Sequence, residues 1–243
     1  MAALLRTERL TKRFRGLVAN EDLSFALAKG EVRCIIGPNG AGKTTFISMI
    51  SGHLEPTAGR IWFRDQDITR YSVPYRAQIG IGRKFQTPSV FEGLSAFENL
   101  ELASMRRAAK SMQERKRAVE SILDTIRLAD RRQMPAQFLS HGERQWLEIG
   151  LLLANEVELL LLDEPTAGMT AEETDATGKL VRHLASDRNL SVIIIEHDIN
   201  FIRELSARIT VLHLGRVLCE GTFEEIAEDE RVREVYLGTA AHA

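Results

Sequence analysis

The chain has 243 residues, 44% apolar and 27% charged, with a formal net charge of −2. That balance excludes intrinsic disorder and gives no bulk basic field for nucleic acid. Two cysteines, Cys34 and Cys219, form no CxxC pair, which excludes a disulfide scaffold or a zinc site and points to a reducing, cytosolic setting. No apolar run approaches the ~20 residues needed to span a bilayer.

In chain order, β-like stretches over Leu4–Phe14 and Val18–Leu27 flank Arg15-Gly16. The short apolar run Val32–Ile36 reads as a buried strand. A glycine-rich loop and a helix over Lys43–Ser51 follow, stopped by Gly52. Arg60–Phe63 is another strand, and Ile81–Phe85 a further one. Ser95-Ala96-Phe97-Glu98, Ser111-Met112-Gln113-Glu114 and Ser140-His141-Gly142-Glu143 match the capping box and open helices reaching about Met105, Leu128 and Ala154. Beyond them, Leu159–Leu162 and Val192–Ile195 are strands around a helix capped at Thr170, the βαβ pattern of a parallel sheet. A hairpin pairs Ile209–His213 with Arg216–Glu220 across Gly215. The expected fold is α/β: a phosphate-loop core with a mainly parallel sheet (1–86 and 155–243). It carries an antiparallel β subdomain and an inserted helical subdomain (87–154).

Gly37-Pro38-Asn39-Gly40-Ala41-Gly42-Lys43-Thr44 fits G-x-x-x-x-G-K-[ST]. The glycines let backbone N–H groups approach phosphate oxygens, and the helix that follows presents its positive end. Lys43 can reach the β- and γ-phosphates of a nucleotide, and Thr44 can ligate Mg²⁺. A chance match in a turn is the competing reading; the strand before and helix after weigh against it. Leu159-Leu160-Leu161-Leu162-Asp163-Glu164 places two carboxylates at the end of a buried strand, where α/β ligands bind. Asp163 would hold Mg²⁺ through water. Glu164 would accept a proton from an attacking water. Alone, that pair would read as solvated acids. His197 and Gln86 likewise end β-like stretches; each would be a plain polar terminus without the phosphate loop. Ser140 and Gly142 offer a hydroxyl and a backbone N–H at a helix start, a second anion site. One nucleotide does not need two such sites, so each is expected to be completed by another subunit.

These elements, in this order, resemble the ATP-binding subunit of an ABC transporter over nearly the whole chain. The resemblance identifies Gly37–Thr45, Thr45 included, with the Walker A loop and Leu159–Glu164 with Walker B. Gln86 matches the Q-loop glutamine, which can touch Mg²⁺ or the attacking water, and Leu139–Gln145 the LSGGQ segment, whose Ser140, His141, Gly142 and Glu143 would meet the neighbour's nucleotide. His197 matches the switch histidine and Phe14 the aromatic residue that stacks on adenine. It implies ATP and Mg²⁺ as ligands, hydrolysis with Glu164 as base, and a head-to-tail pair of ATP-binding subunits. It further implies two membrane permease subunits, an extracytoplasmic binding protein, and a peripheral position on the cytoplasmic face of the inner membrane. Departures are His141 for the first LSGGQ glycine, Glu143 for its glutamine, Phe14 for tyrosine, and Thr170 for an aspartate after Walker B. They bear on closure of the pair more than on chemistry. Gly80–Gln86, Ser140–Gly150 and Glu234–Gly238 are similar to urea-type importers within the branched-chain amino acid group, nearest the first of their two ATPases. A soluble ABC-type ATPase is disfavoured, because no long coiled coil and no second nucleotide domain occur. A purely regulatory nucleotide module is disfavoured by Glu164. The stretch Thr87–Leu94, with Val90, Phe91 and Leu94, is expected either to dock a permease helix or to form local core.

Overall fold

The computed structural model describes residues 3–85, 90–105 and 111–238. Its larger sheet has six strands in the order β10-β9-β3-β8-β7-β6. These are β3 (Val32–Ile36), β6 (Ile81–Lys84), β7 (Leu159–Asp163), β8 (Ser191–Ile195), β9 (Arg208–His213) and β10 (Arg216–Gly221). All neighbours pair in parallel except the β9–β10 hairpin. β7 and β8 are buried at every position, and such unbroken apolar runs are what a sheet covered on both faces requires. The smaller sheet is antiparallel, ordered β2-β1-β4-β5, from β1 (Ala3–Phe14), β2 (Leu17–Ala28), β4 (Ala58–Phe63) and β5 (Gln66–Asp67). The expected α/β class with a mainly parallel core sheet and an antiparallel partner is therefore present.

Helix α1 (Lys43–Ser51) lies between the sheets. Phe46, Ile47, Met49 and Ile50 pack into one apolar cluster with Leu5, Phe25 and Phe63 of the small sheet and Leu161 and Ile193 of the large one. Its far end is held by Arg76 in α2 (Val73–Gln78), a short helix with no strong periodicity to announce it. Arg76 is 1% exposed and donates to the carbonyls of Met49, Ile50, Thr69 and Tyr71. Burial pulls its pKa down to about 10.

On the other face, α3 (Ala96–Ser104), α4 (Met112–Thr125) and α5 (His141–Ala154) share a second cluster with α6 (Ala171–Arg188) and α7 (Ile199–Leu205). The capping boxes at Ser95, Ser111, Ser140 and Thr170 all form, each serine or threonine oxygen taking the N3 amide while the N3 glutamate reaches back. α4 stops at Thr125 rather than near Leu128, because Arg127 turns to a left-handed φ of 61° and ends the helical run. Val90 packs on this cluster while Phe91 stays 59% exposed. The C-terminal helices α8 (Phe223–Glu228) and α9 (Glu230–Gly238) complete the described chain.

Candidate ATP site

Three parallel strands bring the predicted residues to one edge. β3 ends at Ile36 and releases the glycine loop; β7 ends at Asp163, followed by Glu164; β8 ends at Ile195, two residues before His197. The carboxyl edge of a parallel sheet is where such loops converge. There a cleft of about 330 Å³ is lined by Phe14, Leu17, Val18, Ala19, the loop residues Asn39–Thr45, Glu164 and His197.

The loop is held by backbone contacts only glycine permits. Gly37 has φ 149°, and a Cβ there would lie 2.1 Å from the carbonyl oxygen of Leu212. Gly42 has φ 96°, with a virtual Cβ 2.4 Å from the Ala19 carbonyl. Gly42 also serves as N-cap of α1 with no side-chain cap, so the first N–H groups of the helix point at the cleft mouth without an internal anion. Lys43 Nζ donates to the carbonyls of Gly37 (2.7 Å) and Pro38 (3.1 Å). Burial lowers its pKa, while the nearby Glu164 and Asp163 carboxylates oppose that shift. An ammonium with two donors on carbonyls keeps a third for a phosphate oxygen.

Glu164 turns to a left-handed φ of 49°, and its N–H donates to Ile195 O at 2.9 Å. That bend lifts its side chain into the cleft while the sheet ladder continues beneath. Glu164 Oε1 lies 3.1 Å from His197 Nε2. The two side chains are thus within hydrogen-bond distance, the imidazole nitrogen bracing the carboxylate at the cleft. Glu196, 4% exposed, fixes the start of the histidine turn. It accepts from the N–H groups of His197 (2.8 Å) and Thr166 (3.1 Å) and from the Thr166 hydroxyl. Sequence reading passed over Glu196; a lone acid ending a run of isoleucines was the available signal. Asn20, fully buried, donates to Gly42 O at 3.2 Å and was also missed, with nothing in its surroundings to mark it.

Asp163 does not line the cleft surface. It is 2% exposed, and burial raises its pKa against the opposing pull of Arg83. Arg83 Nη2 lies 3.3 Å from Asp163 Oδ2 and Nη1 donates to Ser48 Oγ of α1 at 2.9 Å. Asp163 Oδ1 is buried with no partner. A buried carboxylate oxygen left unpaired, with Lys43 near enough to act on its charge, fits a hard divalent cation with oxygen ligands. Phe14 is 41% exposed at the end of β1, with Lys12 Nζ 5.1 Å from its ring centroid. Gln86 lies outside the described residues.

Ser140, His141, Gly142 and Glu143 are not in this cleft. They form the first turn of α5, facing the loop that leaves β7 and the start of α6. Glu143 closes the cap on Ser140 and takes Arg131 Nε at 3.3 Å. The His141 ring is turned to Ala167 O at 3.0 Å. The predicted site residues among those described thus fall into two separate groups within this chain.

The sequence matches the family model for ABC transporter over residues 20–167 and that for the branched-chain amino acid ATP-binding cassette transporter over residues 216–242. It is 38% identical to the lipopolysaccharide export system ATP-binding protein LptB of Acidithiobacillus ferridurans, with 98% of each chain covered. It is 33% identical to the high-affinity branched-chain amino acid transport ATP-binding protein LivG of Escherichia coli K12, again over 98% of each. Among solved structures, an ATP-binding cassette of an ABC transporter in its ADP conformation superimposes with a TM-score of 0.87 at 29% identity, covering 98% of this chain and all of the other. A dimeric post-hydrolysis cassette bound to ADP and Pi gives 0.79 at 26%, covering 90% and 98%. The chain belongs to the ATP-binding subunits of ABC transporters and is an ATPase, forming ADP and phosphate.

Proposed function

We propose that this subunit drives an importer of the branched-chain amino acid group, with urea or a related small amide as cargo. The observation that carries the motor reading is the single cleft joining Phe14, the loop Asn39–Thr45, Glu164 and His197. Adenine would stack on Phe14. The phosphates would meet the α1 N-terminus and Lys43, and the Glu164 carboxylate would take the proton of the attacking water. Mg²⁺ would be held by Thr44, by Asp163 through water and by Gln86; when bound it neutralises charge developing on the phosphates. A second ATP-binding subunit would complete each site with Ser140 and Gly142, and His141 and Glu143 would border the same nucleotide.

No helix among the described residues is long and apolar enough to cross a membrane. The subunit would therefore sit at the cytoplasmic face of the inner membrane through two permease subunits, fed by an extracytoplasmic binding protein. The exposed ring of Phe91 supports docking from the 87–94 stretch, within the helical subdomain 87–154. Urea is supported by the Gly80–Gln86, Ser140–Gly150 and Glu234–Gly238 segments. The match over 216–242 and the likeness to LivG support branched-chain amino acids as the second reading. The test is ATP turnover of the co-purified complex in proteoliposomes with its binding protein. Stimulation by urea and not by leucine is expected; stimulation by leucine alone would replace the cargo, and stimulation by neither would overturn import of this class.

A further inference from the structure

The anion site at the start of α5 is already filled by this chain. Glu173 stands at the third position of α6. One carboxylate oxygen, Oε2, closes that helix's own cap by accepting from the Thr170 N–H at 3.0 Å and the Thr170 hydroxyl at 3.3 Å. The other, Oε1, accepts from Ser140 Oγ at 2.8 Å and lies 2.5 Å from where a Cβ on Gly142 would stand. With no side chain of its own, Gly142 leaves room for this carboxylate to lie against the turn. The remaining groups of the turn are used internally, with Ser140 N–H on Glu143 Oε2 and Glu143 N–H on Ser140 Oγ. The Ser140 hydroxyl that a neighbour's phosphate would need therefore donates to Glu173, and the Glu173 carboxylate occupies the space over Gly142. A carboxylate and a phosphate cannot occupy one set of donors, since like charges at that separation repel strongly.

We propose that Glu173 is the resident counter-anion of the Ser140–Gly142 site, and that a neighbouring subunit's nucleotide must displace it before the composite site closes. This rests on the composite-site reading above. The two oxygens have separate duties, so Oε1 can swing off Ser140 while Oε2 keeps the α6 cap. Displacement then breaks only the contacts to α5. Glu173 lies in the first turn of the helix that follows the loop leaving Glu164, and His141 holds the same loop at Ala167. Arrival of the neighbour's phosphate is thereby coupled to release of the segment behind the catalytic base. Glu173 touches no reacting atom; it acts by setting how much nucleotide closure requires.

The experiment uses the full chain carrying Glu164→Gln, which slows turnover so that an ATP-bound pair accumulates. ATP-dependent dimerisation is followed by light scattering, and nucleotide binding separately with a fluorescent ATP analogue. Adding Glu173→Ala should lower the ATP concentration for half-dimerisation about tenfold, the scale of a charge-assisted hydrogen-bond pair no longer competing. Glu173→Gln, which keeps the side-chain shape, should move it in the same direction and guards against misfolding of the alanine variant. Thr170→Ala removes the cap of the same helix but leaves the carboxylate on Ser140, and should give no gain. Dimerisation of the parent with an unchanged or higher ATP requirement in both Glu173 variants overturns the inference alone, as does an equal gain from Thr170→Ala. Nucleotide binding without dimerisation in the parent and every variant overturns the composite site formed by two copies, and this inference with it.

Discussion

Replacing Gly42 by alanine should damage the loop in a way that replacing Gly40 does not, and the difference can be worked from the backbone. Both glycines are left-handed, φ 80° at Gly40 and 96° at Gly42. An L-residue forced there costs about 1–2 kcal/mol. At Gly40 nothing lies within 4 Å of the added Cβ, so the strain is the whole effect. At Gly42 the Cβ would stand 2.4 Å from Ala19 O and 2.5 Å from Asn20 Nδ2. Ala19 O is backbone of β2 and cannot rotate away, and Asn20 is buried with its amide committed to Gly42 O. Relief requires moving the loop off β2, which adds about 1–3 kcal/mol by analogy with overpacked cores. Urea denaturation of the two variants should therefore show Gly42→Ala less stable than Gly40→Ala by that margin. Calorimetric titration should show Gly42→Ala losing ATP affinity more severely, because the displaced segment is the one that aims the α1 N–H groups. Equal destabilisation within about 0.5 kcal/mol, the usual error of such additive comparisons, would refute the steric account.

Other outcomes follow from the same geometry. Glu164→Gln should reduce turnover by about 10²–10⁴-fold, the range for a lost general base, with ATP binding retained because Lys43 and the α1 N-terminus are untouched; unchanged steady-state turnover would remove Glu164 as the base. Arg76→Met should cost about 3–5 kcal/mol in denaturant unfolding, since it orphans buried carbonyls that hold the far end of α1; a loss under about 1 kcal/mol would show that water takes over those acceptors. The caps also set an acid limit. Glu98 is held below the ordinary glutamate value of 4.5 first by the Ser95 N–H, and Glu173 first by the Thr170 N–H. A depressed carboxylate contributes stability that is present above 4.5 and is lost as the pH falls below it through the folded pKa. Thermal denaturation across that window should fall less steeply in a Glu98→Gln/Glu173→Gln variant than in the parent; parallel curves would count against the caps as the source.

Much of this molecule was open to sequence reading because its signals are local. A capping box needs only residues three apart, and all four predicted ones form. The phosphate loop is a run of contiguous residues whose glycines need their φ angles wherever the chain goes. Runs such as Leu159–Leu162 and Val192–Ile195 announce a doubly covered sheet by their unbroken apolar composition. The short helices α2 and α7 escaped because six or seven residues give too little periodicity, and Asn20 because nothing local marks a buried polar residue as a brace; for Glu196 the one local sign was its place at the end of an isoleucine run.

The tertiary structure decided what the local signals could not. Sheet order β9-β3-β8-β7-β6 brings Gly37, Asp163, Glu164 and His197 to one edge, and a strand order is not written in any single segment. Packing of α6 against α5 decided the state of the second anion site. From sequence, Ser140 and Gly142 were donors awaiting a neighbour, and Glu173 was simply the last residue of a cap. Only when the two helix starts meet does one carboxylate reach both, because its two oxygens accept hydrogen bonds in different directions.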